Sequence, residues 1–254
     1  MFERCDSMPD LPFATVLPPP GQSALQAAEW RPGNRGEGAA HTEIFATADH
    51  GAGAALALAF ALDRIDPADD RMWLWVQDRE ALRRTGRPYR PGLPRGLRHR
   101  LIHVAAKSAE DALFALEEGL RCRDLAFVIG EIAGNPRALD FTASRRFSLA
   151  VERHGVPFWL VRLDARRDLS SARMRWHVEP AASPPPRWNP QAPGHPAWRA
   201  ELFRARGHPP GEWLLRGDAA ARLDGTGPEG AGLLAERVDG AAQAGALARC
   251  PAAS

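Results

Sequence analysis

The chain has 254 residues, a mass of 27.7 kDa and a formal net charge of +2 at pH 7, which fits one domain with appendages or at most two small domains. An apolar content of 44% beside 25% charged residues can build a core, and so small a net charge does not mark a strongly basic nucleic-acid binder. The longest apolar run, Ala52 to Leu62, is too short to cross a bilayer, so no membrane association is expected.

The first residues, with Glu3, Arg4 and Asp6, lack the basic and apolar regions of a secretory signal. Cys5, Cys122 and Cys250 are widely spaced and form no C-x-x-C pair, so neither a disulfide framework nor a zinc site is expected, and a reducing cytoplasm is the expected compartment. The cations are almost all arginine, which fits a GC-rich coding bias as well as any selection for guanidinium.

Residues 1–38 carry Pro9, Pro12, Pro18, Pro19, Pro20 and Pro32 with Gly33, Gly36 and Gly38, a spacing that forbids a long helix or a central strand. This stretch reads as an extended arm with one helical turn around Ser23 to Trp30.

Residues 39–217 read as an α/β domain. His41 to Ala46 has the pattern of a strand, Thr47 to Gly53 is a small-residue turn, and the following helix is apolar on almost every face. That is the outline of a strand, a phosphate loop and a buried helix. A working loop, G-x-x-x-x-G-K-[ST], needs a Lys ammonium for the phosphate oxygens and a hydroxyl for magnesium. Here Ala46 takes the place of the first Gly, Gly51 keeps the second, Ala52 replaces the Lys and Gly53 replaces the hydroxyl. No other register restores it, because Lys107 is the only lysine in the chain. Asp49, beside His50, adds a carboxylate that repels the anion a helix N-terminus attracts.

Further strands are expected at Arg71 to Gln77, Arg100 to Ala106, Leu125 to Ile132 and Val156 to Leu163. Ser108 followed by Asp111 has capping-box spacing for a helix with the stripe Leu113, Leu116, Leu120, and a second helix, Leu139 to His154, ends on Gly155. Five strands alternating with helices indicate a mostly parallel sheet with right-handed crossovers. From about residue 172 the pattern changes to short strands, Arg173 to Glu179, Ala197 to Arg206 and Gly211 to Arg216, an antiparallel extension on one sheet edge. Residues 218–254 are Ala/Gly-rich, with few large apolar groups, and read as a disordered tail or a weak helix around Glu229 to Arg249.

Glu131 ends a buried strand where a nucleotide-binding sheet places a magnesium-ordering carboxylate, yet the loop that would deliver the phosphate is disabled, so a strand-end acid facing water is the better reading. No H-E-x-x-H motif is present, and His99 and His103, four apart, fall where a strand begins rather than on a helix. No G-x-S-x-G elbow occurs. The most unusual charge run holds Arg79, Arg83, Arg84, Arg87, Arg90, Arg95, Arg98 and Arg100 against the single acid Glu80. With Tyr89 it forms a candidate contact for phosphate, bases or an acidic partner, the plain alternative being a solvated loop and helix. A second group, Arg173, Arg175, Trp176, Arg187, Trp188, Trp198 and Arg199, is a candidate edge contact, although tryptophans in edge ribbons more often lid a core.

The strand T-E-I-F at Thr42 to Phe45 with its loop and helix resembles the core of the RecA/RadA recombinase superfamily. The longer pattern resembles the ImuA family of translesion-synthesis accessory proteins. Its words are Trp75-Val76-Gln77-Asp78, then Gly86-Arg87-Pro88-Tyr89 with Pro91-Gly92-Leu93, then Ala115-Leu116-Glu117-Glu118-Gly119-Leu120-Arg121 and Ser171-Ala172-Arg173-Met174-Arg175-Trp176, with a Pro-rich bend leading to Trp198 and Trp213. The resemblance covers roughly residues 40 to 217 and is specific by order and accumulation. It implies a RecA-like fold without catalysis or cofactor, acting as an adaptor in damage-induced mutagenesis. The implied partners are the ImuB-type Y-family polymerase relative, RecA and the error-prone replicative-type polymerase, in the cytoplasm and at the nucleoid during damage. The alternatives are a SulA-like inhibitor of cell division and a RecA-like ATPase in which an arginine replaces the loop lysine.

Overall fold

A computed structural model describes Pro32 and residues 39–66, 68–183, 185, 189–217 and 233–237. The residue 1–38 arm, with its turn at Ser23 to Trp30, otherwise lies outside the described residues.

Strand β1 (His41–Ala46) is buried along its whole length, as a strand covered on both faces must be. It runs through a short loop into α1 (Ala52–Arg64). Next come β2 (Met72–Gln77) and α2 (Arg79–Thr85), a helix started by Asp78, whose side chain accepts the Ala81 N–H at 2.7 Å. A 3-10 turn at Arg90–Gly92 and the one-turn α3 (Arg95–Arg98) lead to β3 (Leu101–Ala105).

Ser108 starts α4 (Ala109–Arg121) by accepting the Asp111 N–H at 3.1 Å, as the capping spacing requires. After β4 (Leu125–Ala133), α5 (Phe141–His154) is capped by Asp140 and ends on Gly155 in the left-handed region, φ 75°, where a side chain would be strained. Then follow β5 (Phe158–Leu163), β6 (Met174–Pro180), β7 (Ala197–Ala205), β8 (Gly211–Gly217) and β9 (Leu233–Arg237).

All nine strands form one sheet in the order β3-β2-β4-β5-β1-β6-β7-β8-β9. The first six in that order are parallel, while β6 to β9 pair antiparallel. The α/β class and its antiparallel extension are as the sequence indicates. Residues 233–237 depart from it: they lie inside the span read as a weak helix or disordered, and they form a strand on β8.

Helix α1 packs on one face of the sheet, against β1, β4, β5 and β6, while α4 and α5 cover the other. The period-2 alternation of β5 feeds both layers. Leu160 joins Leu113, Leu116 and Phe147 beneath α4 and α5, whereas the neighbouring Val161 meets α1 at Gly53. Beyond β1, α1 also covers β6, and Trp176 meets Phe60 in a tilted contact and Trp213 edge to face, each at 5.5 Å between ring centres. These layers leave the carboxyl ends of β1, β4 and β5 converging at one crest, where a doubly wound sheet holds its ligands.

Candidate functional site

The loop between β1 and α1 stands at that crest. Thr47, Asp49 and Gly51 are exposed, and α1 starts with no side-chain cap and no acid in its first turn. The Ala52 N–H points to His50 Nδ1 at 3.4 Å. Ala52 and Gly53, the positions that a phosphate loop fills with an ammonium and a hydroxyl, are buried against the sheet. A Cβ on Gly53 would lie 2.8 Å from Val161 Cγ1 and 2.9 Å from the Ala46 Cβ. The loop therefore lacks both the chemical groups and the space for the second of them.

A carboxylate of the chain itself lies against this loop. Asp164, the residue after β5, accepts the Ala48 N–H at 3.3 Å through Oδ2, and the same oxygen is 2.6 Å from Arg84 Nη1 of α2. Asp164 is the one described non-glycine residue with positive φ, 48°, a conformation that Asp tolerates better than most residues. Arg84, brought to the edge of the loop by this contact, is thus paired with Asp164.

Glu131 is neither a crevice carboxylate nor a strand-end acid facing water. It is buried, with Oε1 accepting Trp75 Nε1–H at 2.8 Å and Oε2 lying 3.2 Å from both Gln77 Nε2 and Thr85 Oγ1. Burial pushes its pKa above the usual carboxylate range, and these donors pull part of the way back. Gln77 Oε1 in turn lies 2.8 Å from His103 Nε2. His103 is therefore engaged on β3 while His99 ends α3, and the two do not form a ligand pair. Among the described residues no group of three or more His, Cys, Asp or Glu is placed to hold a metal ion.

The arginine run separates into two kinds. Arg83 pairs with Glu80 and Arg84 with Asp164. Arg90 donates to the Leu101 carbonyl, Arg98 to those of Pro91 and Leu93, and Arg100 to those of Gly96, Asp69 and Arg71. These brace the connection between α2 and β3. Arg79, Arg87 and Arg95 are exposed and make no hydrogen bond or ion pair among the described residues. Tyr89, 75% exposed, stands between the last two.

The second aromatic group is placed differently from its reading as an edge contact. Trp176 and Trp198 are buried, because the alternation of β6 and β7 turns them toward the core. Arg175 is buried as well: its Nε lies 2.7 Å from Glu43 Oε2, with the guanidinium 5.0 Å over the Phe45 ring. Burial removes Arg175 and Trp176 from any exposed contact surface. Arg187 and Trp188 lie outside the described residues, and Arg199 pairs with Glu212 across the ribbon.

The fold and this crest define an α/β domain with the outline of a nucleotide loop, carrying Ala52 and Gly53 where such a loop carries a lysine and a hydroxyl. No protein-family model matches the chain. Over 160 residues the chain is 35% identical to Protein ImuA of Caulobacter vibrioides, in strain NA1000 / CB15N and equally in strain ATCC 19089, a stretch covering 58% of this chain and 62% of each relative. The chain is thus similar to Protein ImuA over a stretch that spans less than two thirds of the relatives' own length.

Proposed function

We propose that the protein is a non-catalytic adaptor in damage-induced mutagenesis and translesion DNA synthesis. On this reading it binds the ImuB-type polymerase relative and RecA, and so helps place the error-prone replicative-type polymerase at lesions, in the cytoplasm and at the nucleoid after damage. The observation that carries the absence of catalysis is the crest itself. Gly53 sits too close to Val161 and Ala46 for a magnesium-holding hydroxyl, and Asp164 holds its carboxylate against the loop N–H of Ala48. The similarity to Protein ImuA supports the cellular role.

The exposed arginines after β2 are the proposed contact surface for a partner or DNA, since recognition without bond making needs charged groups that the fold does not already use. Affinity purification from damaged cells should recover the polymerase relative, while equilibrium binding of labelled ATP should show no uptake at micromolar concentrations. Recovery of the tubulin-like division protein with filamentation on overexpression would replace this reading with the SulA-like one. Stoichiometric ATP binding would replace it with the ATPase.

A further inference from the structure

The segment from α2 to β3 combines a rigid frame with unused groups. Three arginines, Arg90, Arg98 and Arg100, tie it down through backbone carbonyls of Leu101, Pro91, Leu93 and Gly96. The turn that carries Tyr89 is closed by the Gly92 N–H donating to the Tyr89 carbonyl at 3.0 Å and the Leu93 N–H to the Arg90 carbonyl at 3.1 Å. On this frame the phenol ring is held out into solvent, 75% exposed. Arg87 precedes it by two residues, Arg95 follows at the start of α3, and Arg79 opens α2. Exposing an aromatic face and several guanidiniums on a braced turn forgoes both burial and pairing, and a ligand with flat faces and regularly spaced anions recovers both.

We propose that this surface binds single-stranded nucleic acid, with Tyr89 stacking on a base and Arg87, Arg95 and Arg79 taking backbone phosphates. The inference rests on the adaptor reading only in its choice of surface, and it names what that surface takes. A duplex hides the base faces inside its stack, so a ring presented from a turn can stack only on an unpaired base. An acidic protein segment would satisfy the guanidiniums but offers nothing to the ring face. The modest overall charge is no obstacle, since the cations are concentrated locally: eight arginines and one acid lie between residues 79 and 100.

The test is fluorescence anisotropy of the full chain with a labelled oligothymidine strand, across a salt series. Three phosphates neutralised in a single strand give a slope of about −2 for log affinity against log salt. Tyr89→Ala should weaken binding roughly tenfold or more, with Tyr89→Trp retaining it. Arg87→Gln with Arg95→Gln should flatten the slope to about −0.7. All these positions are exposed, and an unchanged unfolding transition would show that the fold is intact. No binding at low salt, or indifference to Tyr89→Ala with equal competition by polyglutamate, overturns the proposal; the second result reassigns the surface to an acidic protein. Recovery of the polymerase relative by the parent chain is read separately, so absence of strand binding by the parent chain with the partner recovered sinks this inference alone. Strand binding without the partner sinks only the adaptor reading.

Discussion

Asp164 and Arg84 meet at 2.6 Å, although β5 and β2, the strands that precede them, are separated in the sheet by β4. The contact crosses the crest and takes in the β1 loop through the Ala48 N–H. Each partner is about a third exposed, so the charge pair itself contributes only about 1 kcal/mol. Backbone strain adds a second effect. Asn keeps the short polar side chain suited to φ 48°, whereas Ala does not. Asp164→Asn is expected to cost about 1 kcal/mol, and Asp164→Ala about 2 kcal/mol. Urea unfolding of the two variants checks the order; equal losses would remove the strain argument.

His41 makes the protein acid-sensitive. Its ring is buried, stacked at 5.1 Å on Phe158, with Nδ1 3.0 Å from Ser148 Oγ. Ser148 Oγ also lies 3.2 Å from the Ser171 carbonyl and 2.7 Å from the Ser171 hydroxyl, and the buried Nε2 has no hydrogen-bond partner among the described residues. Burial, only partly countered by Glu43, lowers the pKa from 6.5 to about 4. The unfolded chain therefore binds a proton that the folded chain refuses. The stability that neutral His41 provides is complete above pH 6.5 and is lost as pH falls toward about 4, on the order of 3 kcal/mol in total. His41→Phe should flatten that limb of the stability profile; an unaltered limb would assign it elsewhere.

Glu43 and Arg175 form the buried ion pair. Glu43 also accepts from Ser170 Oγ at 2.8 Å, and both side chains are at most 4% exposed. Glu43→Ala strands a buried guanidinium and should cost about 3–5 kcal/mol. Replacing both residues by Met should cost less than either single change, as a double-mutant cycle in denaturant would read.

Glu131 is a structural acid, and its removal should hurt for that reason. Glu131→Ala leaves the buried Trp75 Nε1–H without its acceptor, at about 1–3 kcal/mol, while Gln77 Nε2 keeps the Gly86 carbonyl. Glu131→Gln keeps an acceptor oxygen and should cost less. Addition of magnesium should leave the melting temperature of the parent chain unchanged; a rise would restore the metal role to this carboxylate.

Local signals reveal most of this architecture. Ser108 starts α4 and Gly155 ends α5 where cap chemistry requires, and β1, β2, β4 and β5 are legible because they are buried on both faces. Residues 233–237 were not legible: Leu, Ala, Glu and Arg favour helix intrinsically, and the strand arises from pairing with β8, which sequence distance conceals. Helix α2 was absorbed into an arginine run, although Asp78 and Gly86 frame it. Composition could not separate bracing arginines from free ones, since that depends on carbonyls of the connection and on an acid eighty residues away, Asp164. The same limit concealed Arg175, whose partner Glu43 lies at the opposite end of the domain sequence.

The seating of α1 bears on whether nucleotide chemistry could be written into this loop. Writing Lys and Ser back at positions 52 and 53 would supply the missing atoms, but the new Cβ at Gly53 would press on Val161 and Ala46, and the helix would have to be levered off the sheet before a triphosphate could enter. Ala52→Lys with Gly53→Ser should therefore produce a less stable protein and no ATPase. A smaller residue at 46 or 161 would relieve those contacts as well as a shifted helix would, so recovery of function would require change in the strands beneath α1 and not in the loop alone.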